Sequence, residues 1–181
     1  MLTAFELLIL FPLLVVIILI FSLTKTTSMT AHMPYIGLKE GEKLLWYGRR
    51  SLLSYLGRII LAIIFIVLAA IPYIGFLLLI IGVLLIISAI VGARANIYYV
   101  TNMRIIQEYR LFSRSIKETT LDKITDIVFN QGFFGRLVNF GSIHFHTAGT
   151  GFPGIDFEGI RDPLTVRGLV INAKDEYLKQ K

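Results

Sequence analysis

Uncharged apolar residues fill two long segments in the first half of the chain. Residues 7–23 are apolar apart from Pro12 and Ser22, and residues 59–93 contain no charged side chain. Because a helix rises about 1.5 Å per residue, about 20 apolar residues cross the roughly 30 Å hydrocarbon core of a bilayer. The first segment therefore predicts a transmembrane anchor over residues 1–24. A cleavable signal peptide is the alternative, which is disfavoured because no Lys or Arg precedes the segment.

The second apolar segment is too long for one spanning helix, so we expect it to fold back on itself. The stretch IPYIG, residues 71–75, supplies a break, since Pro72 removes a backbone donor and Gly75 permits a turn. The pattern predicts a transmembrane helical hairpin over residues 55–93. A shallower re-entrant hairpin is the alternative.

The distribution of basic residues predicts the orientation of these segments. Lys and Arg residues cluster between the two apolar segments, whereas the turn at 71–75 carries no charge. By the positive-inside rule, residues 25–54 form a cytoplasmic juxtamembrane segment and the N-terminus lies outside. The expected protein is a multi-pass protein of the cell membrane with three transmembrane helices and a cytoplasmic domain over residues 94–181. Side chains near the ends of the apolar segments are predicted interfacial anchors: Trp46, Tyr47, Tyr55, Arg58 and Arg94.

After the apolar half, the chain changes to short segments in which apolar and polar residues alternate. The runs NIYYVT, RIIQEYRLF, SRSIKETTL and KITDIVFNQ are rich in β-branched and aromatic residues. Their regular spacing is typical of an antiparallel meander. GFFGRLVNF interrupts the meander as a loop or a single helical turn. GSIHFHTAG and GIDFEGI then alternate around a glycine-rich turn and predict a hairpin.

The last segment, DPLTVRGLVINAKDEYLKQK, predicts one amphipathic helix. Asp162 suits the N-cap and Pro163 the first helical position. Helical spacing places one apolar face along the segment, formed by Val166, Leu169, Val170, Ala173 and Tyr177. This helix is expected to close the β domain, which makes the fold class a membrane-anchored α+β protein.

Four motifs follow one another along residues 95–175. The first is a strand turn with Tyr98, Thr101, Arg104 and Ile105, and the second is a strand with Leu121, Ile124 and Asp126. The third is the start of a strand with Arg136, Leu137, Gly141 and Ser142, and the last is a helix that opens with Asp162 and Pro163. In this order they resemble the bacterial pleckstrin-homology-like (PH-like) domain family of membrane-flanked proteins. The resemblance implies a split β-barrel capped by the C-terminal helix, at the cytoplasmic leaflet and without catalytic activity. The chain departs from the family where QEYRLFSR lacks the glycine usual in the second strand.

Residues 40–51, EGEKLLWYGRRS, also resemble the piece that precedes the membrane hairpin in relatives. Two interpretations of this segment remain open. It adds a strand to the barrel, or Trp46 and Tyr47 simply sit at the membrane interface.

Histidines and carboxylates of the predicted hairpin offer one candidate chemical site. Alternation places His144 and His146 on the outer face of one strand, with Asp156 and Glu158 on the same face of the returning strand. Two imidazoles and two carboxylates can ligate Zn or Fe. Cross-strand charge pairs explain the same residues without a metal. The GTGFPG stretch is a literal G-x-G-x-x-G, but a strand rather than a helix is expected behind it, so it predicts a turn instead of a dinucleotide site.

A second candidate surface consists of basic residues on the early strands, namely Arg104, Arg110, Arg114 and Lys117. They suit contact with a protein partner or with anionic lipid headgroups. The net charge of +6 is modest and no nucleic-acid-binding motif occurs, so no nucleic-acid partner is expected.

Composition narrows the function further. The chain has no cysteine, which excludes disulfides and cysteine nucleophiles, and its mean hydropathy of +0.73 is that of a membrane protein. The sequence therefore predicts a non-enzymatic, membrane-anchored PH-like module that binds a protein partner, or a second copy of itself, as a scaffold beside the membrane. No cofactor and no small-molecule substrate are predicted. The alternative is a small membrane-bound metal protein or enzyme that uses the face of His144, His146, Asp156 and Glu158.

Overall fold

The computed structural model describes most of the chain, namely residues 37–69, 71, 73–147 and 154–180. The predicted anchor over residues 1–24 lies outside the described residues. The chain divides into two compact units. The first is helical and contains Arg58–Ile87. The second consists mostly of strands and contains Leu38–Gly57 and Ser88–Lys181.

The uncharged segment forms two helices, as its break predicted. A 3-10 turn at Leu52–Tyr55 leads into helix α1 (Leu56–Leu68), and helix α2 (Gly75–Ala95) follows the break. Glycines let the chain pass closely at this hairpin. A Cβ atom at Gly75 would lie 1.9 Å from the carbonyl oxygen of Ala69, which no side chain tolerates. The predicted break therefore depends on Gly75, while Pro72 lies outside the described residues.

The two helices differ in length, which bears on the predicted hairpin of two membrane spans. Within the described residues, α2 is long and apolar enough to cross a membrane, whereas the apolar helix at Leu52–Leu68 is shorter. Helix α1 itself has 13 residues, and these rise only about 20 Å. Three transmembrane helices are therefore not supported by the part of the chain that the structure describes.

Four antiparallel strands form the first sheet of the second unit, in the order β1-β2-β3-β4. Their bounds are Leu44–Arg49, Asn96–Thr101, Arg104–Arg110 and Arg114–Thr120. Strand β1 resolves the open question about residues 40–51, because it pairs with β2 and places Tyr47 opposite Tyr99. This segment joins the C-terminal residues in one compact unit.

Three antiparallel strands form the second sheet, in the order β5-β6-β7. Their bounds are Ile124–Asn130, Phe140–Thr147 and Ile155–Arg161, and the short helix α3 (Phe133–Leu137) connects β5 to β6. Residues 148–153 of the glycine-rich stretch lie outside the described residues. Strand β7 follows this stretch directly, so no helix N-terminus stands behind its last glycine, as a dinucleotide site requires.

The core lies between the two sheets and helix α4 (Pro163–Gln180). The aromatic ring of Phe157 is its centre, 4.7 Å from the ring of Tyr98, 5.1 Å from Phe145 and 6.1 Å from Trp46. The residues of the β6–β7 hairpin that alternate with the predicted outer face, Ile143, Phe145, Ile155 and Phe157, are buried. The predicted face of α4 is buried as well, with Leu169 and Tyr177 partly buried at its edge. The alternation of both segments is confirmed.

The start of α4 differs in one detail from the predicted N-cap. Pro163 is the first helical residue, as expected. Asp162, however, has a φ of 46°, and its backbone N–H donates to the carbonyl of Asn139 at 3.0 Å. An ordinary N-cap residue is extended, so this aspartate instead makes the sharp turn between β7 and α4.

Candidate functional site

The face of the first sheet that points away from the core carries a buried ion pair. The guanidinium of Arg104 makes a bidentate pair with the Glu42 carboxylate, in which Nε donates to Oε1 at 2.8 Å and Nη2 donates to Oε2 at 3.0 Å. Its Nη1 contacts Glu118 Oε2 at 2.5 Å. The side chain of Glu42 is completely buried. Such a bidentate pair fixes the segment before β1 against β3.

Further donors surround the Glu42 carboxylate. The Thr101 hydroxyl donates to Oε1 at 2.8 Å and the Lys39 backbone N–H donates to Oε2 at 2.8 Å. Burial alone would raise the pKa of Glu42, but the hydrogen bonds from Arg104, Lys39 and Thr101 hold that pKa below its ordinary value. The carboxylate is therefore charged and fully partnered.

A second charged cluster lies further along β3. The carboxylate of Glu108, which is 2% exposed, accepts from Arg110 Nη2 at 2.7 Å and from Arg114 Nε at 2.8 Å. The Tyr99 hydroxyl donates to its other oxygen at 3.2 Å. Burial would raise the pKa of Glu108, and the two guanidiniums overcome that effect and lower it. Burial and the neighbouring carboxylate raise the pKa of Tyr99.

These contacts divide the predicted basic surface. Arg104 is buried in its pairs with Glu42 and Glu118, so it is not part of an exposed surface. Lys117 stands opposite Gln107, whereas Arg114 stands opposite Arg110. Because side chains alternate along a strand, Lys117 lies on the other face of the sheet. Of the four predicted basic residues, Arg110 and Arg114 are the two that are brought together, and both pair with the carboxylate of Glu108.

Sequence reasoning did not select Glu42 and Glu108, the acids at the centre of both clusters. Glu108 has the same parity in β3 as Arg104 and Arg110, so its place on their face could be inferred. Glu42 is separated from Arg104 by 62 positions. No local pattern indicates that contact.

The predicted metal candidates are not brought together as a set. His144 Nδ1 lies 2.7 Å from Asp156 Oδ1, and Glu158 instead contacts Arg50 Nη1 at 2.5 Å. His146 is exposed and stands opposite Asp126. Across the described residues, no group of three or more His, Cys, Asp or Glu side chains is arranged to hold a metal ion. One cross-strand pair, His144 with Asp156, is formed among these four residues, and Glu158 pairs with Arg50 instead.

The contact between Arg50 and Glu158 belongs to the junction where the chain leaves β1 for the helices. The Ser51 backbone N–H donates to the Gly159 carbonyl at 2.7 Å, and the Ser51 hydroxyl accepts from Leu53 N–H at 3.2 Å. Gly159 has a φ of 61°, and a Cβ atom there would lie 2.4 Å from Ser54 Cβ. The junction therefore holds the 3-10 turn tightly against β7.

The predicted interfacial anchors have different surroundings. Trp46 packs on the core beside Phe157, and Tyr55 is buried beneath the Arg50 guanidinium, whose Cζ lies 4.6 Å from the ring centroid. Both are packing residues, since β1 and the 3-10 turn belong to the folded unit. Tyr47 is exposed, and its hydroxyl accepts from Arg49 Nε at 2.7 Å. Arg58 and Arg94 are exposed near the start of α1 and the end of α2, and their role as anchors stays a prediction.

Two antiparallel sheets of four and three strands, closed by a C-terminal helix, define a mixed α+β module of the PH-like class. A family model of the bacterial PH domain matches residues 51–174. The chain therefore belongs to the bacterial PH domain family, as the order of its motifs predicted. PH domains are generally binding modules for proteins or lipids rather than catalysts. The comparisons with curated proteins and with solved structures gave no match.

The two lowered carboxylate pKa values predict an acid-sensitive fold. Glu42 and Glu108 have folded-state pKa values below the ordinary 4.5, so the unfolded chain binds their protons first as the pH falls. Their stabilisation is complete above the ordinary value and is lost as the pH falls through the lowered values. Denaturant unfolding of the full chain in detergent at several pH values should show this loss. Glu42→Gln should flatten the acid limb, and an unchanged acid slope in that variant would contradict the assignment.

Proposed function

We propose that the protein is a PH-like binding module that its apolar helices hold at the cytoplasmic face of the cell membrane, where it binds a protein partner. One observation carries the membrane part of this proposal. Many large apolar side chains of the helical hairpin are exposed. These include Ile60, Ile64, Val67, Phe76, Leu77 and Leu84.

Exposure of this kind is unfavourable in water, at about 25 cal/mol for each Å² of apolar surface. A hydrocarbon environment removes the penalty, and no charged residue between Arg58 and Arg94 opposes insertion. In this proposal α2 crosses the bilayer and the shorter α1 enters it, with the preceding residues 1–24 as an additional anchor. The basic residues of the 25–58 segment then favour a cytoplasmic position for residues 94–181.

Helix α3 supplies the best-supported surface for a protein partner. Phe133 is 81% exposed and Leu137 76% exposed, and Phe134 and Val138 are exposed beside them. We call these four residues the α3 patch. Contiguous exposed aromatic and aliphatic side chains are typical of protein-binding sites, where a few such anchors carry most of the affinity. The neighbouring Arg136 is exposed and adds a charged contact at the edge of the patch.

Partner recruitment from native membranes tests this proposal. The full-length tagged protein is crosslinked in cells, and its partner is identified by mass spectrometry. The double variant Phe133→Ser/Leu137→Ser should reduce recovery of that partner at least tenfold, because truncated hot-spot anchors cost about 2 kcal/mol or more. Leu178→Ser, an exposed apolar change on α4, is the matched control and should retain the partner. A crosslink from the patch to a second copy would assign the partner as the protein itself.

The same experiment separates the domain from its anchor. Replacing Arg58–Ile87 by an unrelated hairpin of the same orientation should leave recruitment intact. Loss of the partner in that chimera, with the domain folded, would make the helices the recognition surface and contradict the proposal. Equal recovery with the patch variant and the parent would also contradict it. Charge reversal at Arg104 is unsuitable as a test because it would place a carboxylate beside Glu42 and Glu118.

A further inference from the structure

The turn between β3 and β4 presents two large apolar side chains to solvent. Phe112 is fully exposed and Leu111 is 42% exposed, although both lie within a charged stretch of the chain. Arg110 precedes them and Arg114 follows them, paired in register at the base of the turn. Neither apolar side chain belongs to the hydrophobic core. Their exposure therefore requires an explanation outside the packing of the domain.

The position of this turn in the second unit indicates what it meets. Helix α2 ends at Ala95 and β2 begins at Asn96. Asn96 pairs with Tyr109, close to the end of β3. Because β2 and β3 are antiparallel, the turn after β3 lies at the end of the sheet where α2 joins. The turn extends a few residues beyond that pair, at about 3.3 Å per residue.

The charges around the turn suit an anionic surface. Arg110 and Arg114 are about half exposed and share the single carboxylate of Glu108, so these three side chains carry a net charge of +1. Arg49 of β1 stands opposite Ile97, which places the end of β1 at the same end of the sheet. Arg49 and the nearby Tyr47 are both exposed. Aromatic and aliphatic side chains flanked by arginine match the chemistry of the headgroup region of a bilayer.

We propose that the β3–β4 turn is a lipid-inserting anchor, in which Leu111 and Phe112 enter the cytoplasmic leaflet and Arg110 and Arg114 contact the phosphates of anionic lipids. This inference rests on the proposed function, because the end of the sheet that follows α2 lies at the membrane only if α2 is inserted in the bilayer. The anchor adds a second point of attachment, which fixes the orientation of the domain on the leaflet. The α3 patch is then left for the protein partner.

Spin-label depth measurements test the anchor in the full-length protein. The chain has no native cysteine, so Ser113→Cys places one nitroxide beside the intact apolar pair. In nanodiscs that contain phosphatidylglycerol, the label at 113 should be accessible to oxygen rather than to a nickel chelate, at a depth of about 5–10 Å. A second label at Lys117→Cys, on exposed β4, should remain accessible to the nickel chelate. Zwitterionic nanodiscs should give a shallower position at 113.

A variant pair identifies the cause of any insertion. Leu111→Ser/Phe112→Ser in the Ser113→Cys background should move the label into water, whereas Leu178→Ser should leave its depth unchanged. A label at 113 that is in water in both lipid compositions would overturn the inference. Protection of the label from oxygen and nickel alike would also overturn it, since a protein would then cover the turn.

A label at Leu84→Cys on exposed α2 distinguishes this failure from failure of the proposed function. If the label at 84 lies in the bilayer and the label at 113 lies in water, the turn is not an anchor but the membrane proposal stands. If the label at 84 also lies in water, the membrane proposal itself is wrong and the anchor falls with it.

Discussion

Replacement of Arg104 by alanine is expected to lower the free energy of unfolding by about 3–5 kcal/mol, the usual cost of leaving one member of a buried ion pair alone. The variant keeps the completely buried carboxylate of Glu42 and removes its opposite charge together with both hydrogen bonds from the guanidinium. Denaturant unfolding in detergent can be followed by the fluorescence of Trp46, the single tryptophan, which packs against Phe157. Arg167→Ala, an exposed change on α4, is the control and should stay within about 0.5 kcal/mol of the parent.

Two further variants show whether charge or packing causes the loss. Arg104→Lys keeps the charge but cannot reproduce the bidentate geometry, so it should remain clearly destabilised. The double variant Arg104→Met/Glu42→Leu removes both charges and should recover much of the lost stability, because apolar replacement of a whole buried pair is often neutral. A loss below about 1 kcal/mol for Arg104→Ala would mean that water or other groups compensate Glu42, and the buried pair would not be a principal support of this sheet.

The local elements could be predicted from the sequence because their causes are local. Alternation predicted an outer face with His144, His146, Asp156 and Glu158. The residues that alternate with them, Ile143, Phe145, Ile155 and Phe157, should then face the core, and all four are buried. Helical spacing predicted the buried face of α4 in the same way. In both cases the period of the apolar residues matches the geometry of the element.

Long-range contacts could not be predicted in this way. Strand β1 pairs with β2 across the whole helical hairpin, so its sequence was equally compatible with a strand and with a membrane interface. Arg104 has the same difficulty, because alternation predicts its face but not that Glu42 covers it from 62 positions away. A stripe of basic residues consequently looked exposed although one member is buried and another, Lys117, is on the opposite face.

The metal candidates show a related limit. Parity correctly placed His144 and Asp156 on one face, and the register brings them within 2.7 Å. The same parity cannot show that Glu158 forms an ion pair with Arg50, because Arg50 lies 108 positions away in the sequence. The helical hairpin was predicted from composition, but composition does not show that α1 is shorter than α2.

The central claim is that helix α2 crosses the bilayer and that the PH-like domain lies in the cytoplasm. Single cysteines at Tyr73 and Thr165, both exposed, test it most directly with a membrane-impermeant thiol reagent on intact bacterial spheroplasts. Tyr73→Cys, in the turn between α1 and α2, should react in intact spheroplasts, whereas Thr165→Cys on α4 should react only after the membrane is permeabilised. Reaction of Thr165→Cys in intact spheroplasts, or protection of Tyr73→Cys until the membrane is permeabilised, would contradict this account.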